Sequence, residues 1–84
     1  MKYNAEFFGN LKMLIERWCD RRAFGPLARA LPPYVAFNGM TDGWAGILDA
    51  LEGVRAFNKD NLTEEEVAAL ADLIRAAEKA VFDR

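Results

Sequence analysis

The sequence predicts an all-α protein, a compact bundle of three long helices and one short helix. Apolar residues recur every three or four positions in three long stretches, and no alternating run of β-branched or aromatic residues reaches the length of a strand. The length of 84 residues accommodates one hydrophobic core and no second domain. We therefore predict a single helical domain across residues 1–84, with helices near residues 5–21, 26–31, 42–57 and 64–82.

The first two predicted helices are separated by Gly25-Pro26. Pro26 suits the first turn of the short second helix because proline has no N–H to lose there. Pro32-Pro33 is expected to end that helix, and the apolar connector from Pro32 to Met40 is expected to pack on the core. The predicted buried face of the first helix contains five residues at helical spacing: Phe7, Leu11, Leu14, Ile15 and Trp18.

The third and fourth helices have recognisable starts. Thr41 or Asp42 can cap the third helix. The fourth has a capping box, in which the Thr63 hydroxyl accepts from the Glu66 backbone N–H and the Glu66 side chain accepts from the Thr63 backbone N–H. The predicted buried residues are Trp44, Ile47, Leu48, Leu51 and Val54 in the third helix, and Val67, Leu70, Leu73, Ile74, Ala77 and Val81 in the fourth.

Two features of the third helix have more than one interpretation. Arg55 falls within its apolar stripe, so it either extends to solvent at the helix end or pairs with a carboxylate, for which Glu16 and Asp20 are candidates. A second stripe indicates the close approach of a neighbour, either another helix of the same chain or a second copy. This stripe consists of the small residues Gly46, Ala50 and Gly53.

The residue types present argue against catalysis and against a metal site. There is no histidine, so the commonest general base is absent, and the single Cys19 allows neither an internal disulfide nor a Cys/His zinc site. Cys19 is expected to be a half-buried structural residue. The six glycines form no nucleotide-binding motif. Asp42, Asp49 and Glu52 are spread over two turns or more, which is typical of a solvated acidic face. We predict a non-enzyme without cofactor or metal.

The sequence also predicts the compartment. No stretch approaches the ~18 consecutive apolar residues of a membrane-spanning helix. The N-terminal residues lack the uninterrupted apolar run that follows the basic residue of a signal peptide. Together with the single cysteine, these observations predict a cytoplasmic protein that is neither secreted nor embedded in a membrane.

Charge is distributed unevenly along the chain. Residues 1–34 carry six Lys/Arg and three Asp/Glu, whereas residues 35–84 carry five and ten. Either the basic first helix packs beside the acidic later helices, or a basic face is directed at an anionic partner. Arg17 and Arg21, one turn apart, repel each other unless an anion or a carboxylate lies beside them. With Arg22 and Arg29 they form a candidate basic patch.

Four apolar residues are further candidates for partner binding: Tyr34, Phe37, Met40 and Phe82. The four arginines are candidates as well. The third and fourth helices each have a second apolar or small-residue side, and with the apolar connector this favours a protein-interaction module that self-associates as a homodimer or docks on a protein partner. One alternative is a nucleic-acid-associated regulator that uses the basic patch. The pI near 5.0 and the acidic face of the third helix disfavour this alternative. A second alternative, a small apolar-ligand carrier, rests on the aromatic content.

Overall fold

The computed structural model describes residues 2–37 and 41–82, and these residues confirm the all-α prediction. A 3₁₀ turn, Lys59–Asn61, precedes the last helix, and the described residues contain no strand. Four helices follow one another along the chain: α1 (Lys2–Asp20), α2 (Phe24–Val35), α3 (Thr41–Phe57) and α4 (Glu64–Phe82).

The helices pack mainly with antiparallel neighbours. α3 lies against both α2 and α4, and α1 lies against α2 and α4. α1 and α4 are antiparallel because Arg17, near the end of α1, meets Glu65 and Glu66 in the first turn of α4. α2 and α3 are antiparallel because Gly25, in the first turn of α2, approaches Asn58, which directly follows α3.

The core is built from the predicted apolar faces. Every residue predicted to be buried in the first and third helices is buried, and Trp18 and Val54 are completely inaccessible to solvent. In α4, Val67 and Val81 are only half-buried, and Val81 packs against the core. The four remaining predicted residues of α4 are buried, namely Leu70, Leu73, Ile74 and Ala77. Helical periodicity therefore identifies the core fully in α1 and α3, and in α4 for four of the six predicted residues.

The predicted end of the second helix at Leu31 is wrong, because α2 continues through Pro32-Pro33 to Val35. Proline has a backbone φ compatible with a helix, and its cost there lies in the lost N–H and in crowding of the preceding turn. Here both prolines lie in the last turn of the helix, which closes with the Ala36 N–H donating to the Pro32 carbonyl at 3.0 Å. α2 is thus a helix of 12 residues.

The flanks of α2 differ less from the prediction. The helix begins at Phe24, so Pro26 lies in its first turn, where the missing N–H has no partner within the helix. The connector to α3 shortens to residues 36–40. Met40 is in this connector, at a position outside the described residues.

α1 ends in a Schellman motif without the usual glycine. The Ala23 N–H donates to the Trp18 carbonyl at 2.8 Å, and the Arg22 N–H donates to the Cys19 carbonyl at 3.2 Å. Arg22 has φ 57°, in the left-handed region that favours glycine. The motif folds the start of α2 back against the end of α1.

Arg55 and Cys19 are both exposed. For Arg55 the sequence left two environments open, and for Cys19 it predicted partial burial. Arg55 extends to solvent at the end of α3, and no ion pair among the described side chains joins it to Glu16 or Asp20. The prediction that Cys19 is half-buried is wrong, since its side chain is exposed. Cys19 lies about 100° around α1 from the buried Trp18, and this rotation places it beyond the core.

The small residues of α3 have two different surroundings. Gly53 faces α2, where a Cβ atom would lie 3.3 Å from Nη1 of Arg29. Gly46 is exposed and has open space around the same position. The close approach predicted for this stripe is therefore made within the chain, by Arg29 at Gly53.

Candidate interaction surface

Two arginines of the predicted basic patch face a buried carboxylate. Glu66, in the first turn of α4, is 0% exposed. Arg21 Nη2 donates to Glu66 Oε1, and Arg17 Nε lies 3.4 Å from Glu66 Oε2. The Arg21 guanidinium also donates to the Asn61 carbonyl at 2.8 Å. The basic first helix thus packs beside the acidic fourth helix, which relieves the repulsion between Arg17 and Arg21.

The same carboxylate belongs to the predicted capping box. The Thr63 N–H donates to Glu66 Oε1 at 3.1 Å, and the Glu66 N–H donates to Thr63 Oγ1 at 3.1 Å, which confirms the prediction. Glu66 therefore caps α4 and also joins the start of α4 to the end of α1.

The surroundings of Glu66 favour its charged form. Burial alone raises its pKa, but the Thr63 backbone N–H and the Arg21 guanidinium lower it further than burial raises it, so the pKa lies below the usual 4.5. The Trp18 indole N–H adds to the lowering. Among the described residues, Trp18 Nε1 and Glu66 Oε2 are both buried without an aligned hydrogen-bond partner. The indole and the carboxylate are therefore close neighbours beneath the two arginines.

The other two arginines, Arg22 and Arg29, are not paired with a carboxylate among the described residues. Arg29 Nε donates to Asn58 Oδ1 at 3.0 Å, and the guanidinium carbon lies 4.8 Å from the centroid of the Phe57 ring. Both partners are uncharged. Arg22 is exposed, and within the described residues no ion pair joins either arginine to a carboxylate. Of the four arginines in the predicted patch, Arg22 and Arg29 are therefore the two whose positive charge is available to an anionic partner.

Two of the four predicted apolar partner residues pack mainly against the core. The Phe37 ring centroid lies 4.6 Å from that of Phe8 and 5.1 Å from that of Trp44, and the Tyr34 centroid lies 6.2 Å from that of Phe8. Both residues are half-buried, so only part of each side chain is available to a partner. Phe82 lies at the end of α4 and is 77% exposed. Partner binding by these residues stays a prediction.

A run of four apolar residues lies along one side of α2, and three of the four are exposed. We call it the outer stripe, and its members are Phe24, Ala28, Leu31 and Val35. Phe24 is 66% and Val35 73% exposed, Ala28 is exposed and Leu31 is half-buried. Their spacing of four, three and four residues places them on one helix face, about 16 Å from end to end. The buried face of α2 centres on Pro26 and Ala30, and Leu31, at the edge of the stripe, also packs against the core.

A second apolar surface is a shallow groove between α1 and α4, with a volume of about 420 Å³. Met13, which is 61% exposed, lies along it. Charged residues of both signs also line it, namely Glu6, Arg17 and Asp72. The groove therefore combines apolar and charged residues, whereas the outer stripe has no charged member.

Comparisons with known proteins identify no relative of this chain. No protein-family model, curated protein or solved structure matches it. Over the described residues, no helix is both long enough and apolar enough to cross a membrane.

The partner-binding residues predicted from the sequence do not include the outer stripe, although the sequence contains a pattern that indicates it. Residues 24, 28, 31 and 35 are all apolar and follow helical spacing. The predicted bounds of the second helix, residues 26–31, exclude both Phe24 and Val35 and leave Ala28 and Leu31, which span about one turn. The start of α2 at Phe24 and its continuation through Pro32-Pro33 together extend the stripe to three turns.

Proposed function

We propose that this chain is a protein-interaction module that docks on a protein partner through the outer stripe of α2. One observation carries the proposal: α2 is apolar on almost all sides, with Arg29 as its single charged residue, yet it buries only one face. A helix that is apolar all round is normally covered on all sides. The outer stripe is the side that a partner would cover.

The energy available at this surface is substantial. A phenylalanine side chain buries roughly 150–250 Å² when it is fully covered. With Phe24 66% exposed, covering the remainder would contribute about 3 kcal/mol at about 25 cal/mol per Å². Val35, at the other end of the stripe, is 73% exposed and adds a second apolar contact. Two such anchors at the ends of one stripe are typical of a surface that receives a helix.

The two alternatives have weaker support. A nucleic-acid-associated regulator would use the four arginines of the basic patch, but Arg17 and Arg21 are already engaged by Glu66. The two that remain would provide few phosphate contacts in a chain of net charge -2. An apolar-ligand carrier would need an enclosed apolar cavity. The groove between α1 and α4, in contrast, is partly open to solvent.

The proposal also describes the chain as a non-enzyme that acts in the cytoplasm without cofactor or metal. The absence of histidine supports the first part, because the commonest general base is missing. An exposed, unpaired Cys19 suits a reducing compartment, where thiols persist.

Photo-crosslinking in cells tests the docking surface. A benzophenone amino acid at Ala28, in the middle of the outer stripe, should form an adduct of discrete mass. The adduct should disappear in the double variant Phe24→Gln/Val35→Gln. The matched control carries the same amino acid at Arg75, an exposed position on α4. Equal labelling at both positions, or no adduct at Ala28, would contradict the proposal.

A further inference from the structure

The outer stripe lies in a part of the chain that has positive charges and no negative ones. Residues 21–37 contain three arginines and no Asp or Glu, whereas the rest of the chain has eight Lys/Arg and thirteen Asp/Glu. We propose that the surface covering the outer stripe is an acidic amphipathic helix, with one apolar stripe flanked by Asp or Glu. This inference rests on the proposed function and specifies the chemistry of the partner.

The shape of the outer stripe fits a single helix. Its length of about 16 Å corresponds to about three helical turns. Ala28 and Leu31 occupy the middle, between the more exposed Phe24 and Val35. A small residue at the middle lets the axis of a second helix come close, while the two larger side chains at the ends pack into the apolar side of that helix.

The charges beside the stripe determine the sign of the partner. Arg17 and Arg21 are balanced by Glu66, but Arg22 and Arg29 have no carboxylate partner among the described residues. Arg22 precedes α2 by two residues, and Arg29, at its sixth position, donates to Asn58, whose amide lies beside Gly25 in the first turn. The N-cap of α2 makes no side-chain hydrogen bond. The positive end of the helix dipole therefore adds to the two guanidinium groups. A partner helix gains most by placing its carboxylates beside this end.

A second copy of the chain fits this surface less well. If two α2 helices paired in antiparallel orientation about a twofold axis, the midpoint of the outer stripe would lie next to Arg29. The two Arg29 residues would then face the same side of the dimer, and α2 offers no carboxylate to either of them. Self-pairing would bury apolar area but leave the charges unmatched.

Extended anionic surfaces also fit less well than one helix. A membrane or a nucleic acid would meet the neighbouring parts of the molecule as well as α2, and the chain outside residues 21–37 is strongly acidic. A single helix lying along α2 contacts the cationic segment alone. Charge complementarity therefore favours a helix over either surface.

Two designed peptides test the sign of the charge. Both are fluorescently labelled amphipathic helices of about 15 residues with the same leucine stripe, and the stripe is flanked by Glu in one and by Lys in the other. We expect the wild-type chain to bind the Glu peptide about tenfold more tightly than the Lys peptide by fluorescence anisotropy. The difference should shrink as salt rises from about 0.05 to about 0.5 M.

Variants of the chain separate charge from apolar contact. Arg22→Glu/Arg29→Glu should reverse the preference, and Arg22→Gln/Arg29→Gln should abolish it while retaining a side chain that can still donate to Asn58. Phe24→Gln/Val35→Gln should weaken binding of both peptides about tenfold or more. The matched control is Met13→Gln, which removes an exposed apolar residue of α1 and should change neither affinity. Circular dichroism verifies that each variant is folded.

The outcomes distinguish the inference from the function on which it rests. Equal affinity for both peptides, lost in Phe24→Gln/Val35→Gln, overturns the acidic partner but leaves the docking surface. Binding of neither peptide overturns both proposals. A dimeric molar mass by light scattering that this double variant abolishes assigns the surface to a second copy and overturns the inference. Tighter binding to phosphatidylglycerol vesicles, or to a single-stranded oligonucleotide, than to the Glu peptide overturns it too.

Discussion

Glu66→Gln tests whether the carboxylate between α1 and α4 stabilises the fold. Glutamine keeps the side-chain length and can still accept from the Thr63 N–H, so the cap is retained. What is lost is the charge that Arg21 and Arg17 share, and a hydrogen bond to a charged group is worth about 1.5–3 kcal/mol. The two guanidinium groups, left beside each other, then repel by a few tenths of a kcal/mol.

Two effects reduce the expected cost. The neutral amide is easier to bury than a carboxylate, and the Arg17 and Arg21 side chains are 45% and 39% exposed, so water can solvate them again. The loss should therefore fall below the ~3–5 kcal/mol of a fully buried broken pair. We expect a decrease of about 2 kcal/mol in the free energy of unfolding, or about 8–16 °C in Tm for a chain of this size.

Urea denaturation followed by circular dichroism near pH 7 measures this loss. The matched control is Glu65→Gln, which removes a carboxylate that is 84% exposed and 3.9 Å from Arg17. Exposed pairs of this kind contribute about 0–1 kcal/mol, so the control should remain close to wild type. If the two variants are equally stable, or if Glu66→Gln costs less than about 0.5 kcal/mol, the assignment of Glu66 as the stabilising charge is refuted.

The pH dependence of the difference gives an independent check. The folded-state pKa of Glu66 lies below its unfolded value of about 4.5, so the carboxylate stabilises the fold while it is ionised. The stability gap between wild type and Glu66→Gln should be fully present above the unfolded pKa. It should close as the pH falls through the lower, folded pKa. A gap that widens in acid would show that the charge is not stabilising.

Three further substitutions test local features, each by the change in urea midpoint. Arg22→Gly should raise stability by about 0.5–1 kcal/mol, because glycine adopts the left-handed conformation of this position without strain; no gain would argue against that strain. Gly46→Ala should add about 0.5–1 kcal/mol, since the position is helical and open, and a loss would reveal a contact there. Gly25→Ala should cost about 1–3 kcal/mol, because the added Cβ would lie 2.6 Å from Asn58 Nδ2; an unchanged midpoint would mean that Asn58 moves freely.

The features that the sequence predicts well are those carried by neighbours along the chain. The buried faces of α1, α3 and α4 follow from a period of 3.6 residues, which depends only on the helix itself. The capping box of Thr63 and Glu66 spans four consecutive residues and is likewise local. For such features the physical cause lies within one element.

The features that it predicts poorly depend on what packs beside each element. The repulsion between Arg17 and Arg21 indicates that a negative group lies near them. Residues 35–84 contain ten acidic residues, and the antiparallel packing of α1 and α4 decides that Glu66 is the one that pairs with both arginines. The extension of α2 through Pro32-Pro33 is also a tertiary result. Tyr34 and Phe37, at and just beyond its end, pack near Phe8, and this contact favours the last turn.

The candidate surface shows the same division. The sequence by itself determined that α2 is almost uncharged and that residues 21–37 contain arginines without carboxylates. Only the tertiary structure decided that Pro26 and Ala30 face the core while Phe24, Ala28 and Val35 face solvent. It also decided that Glu66 balances Arg17 and Arg21 but not Arg22 and Arg29. The reason is that periodicity defines the faces of an isolated helix, whereas burial and charge balance are properties of the contacts between helices.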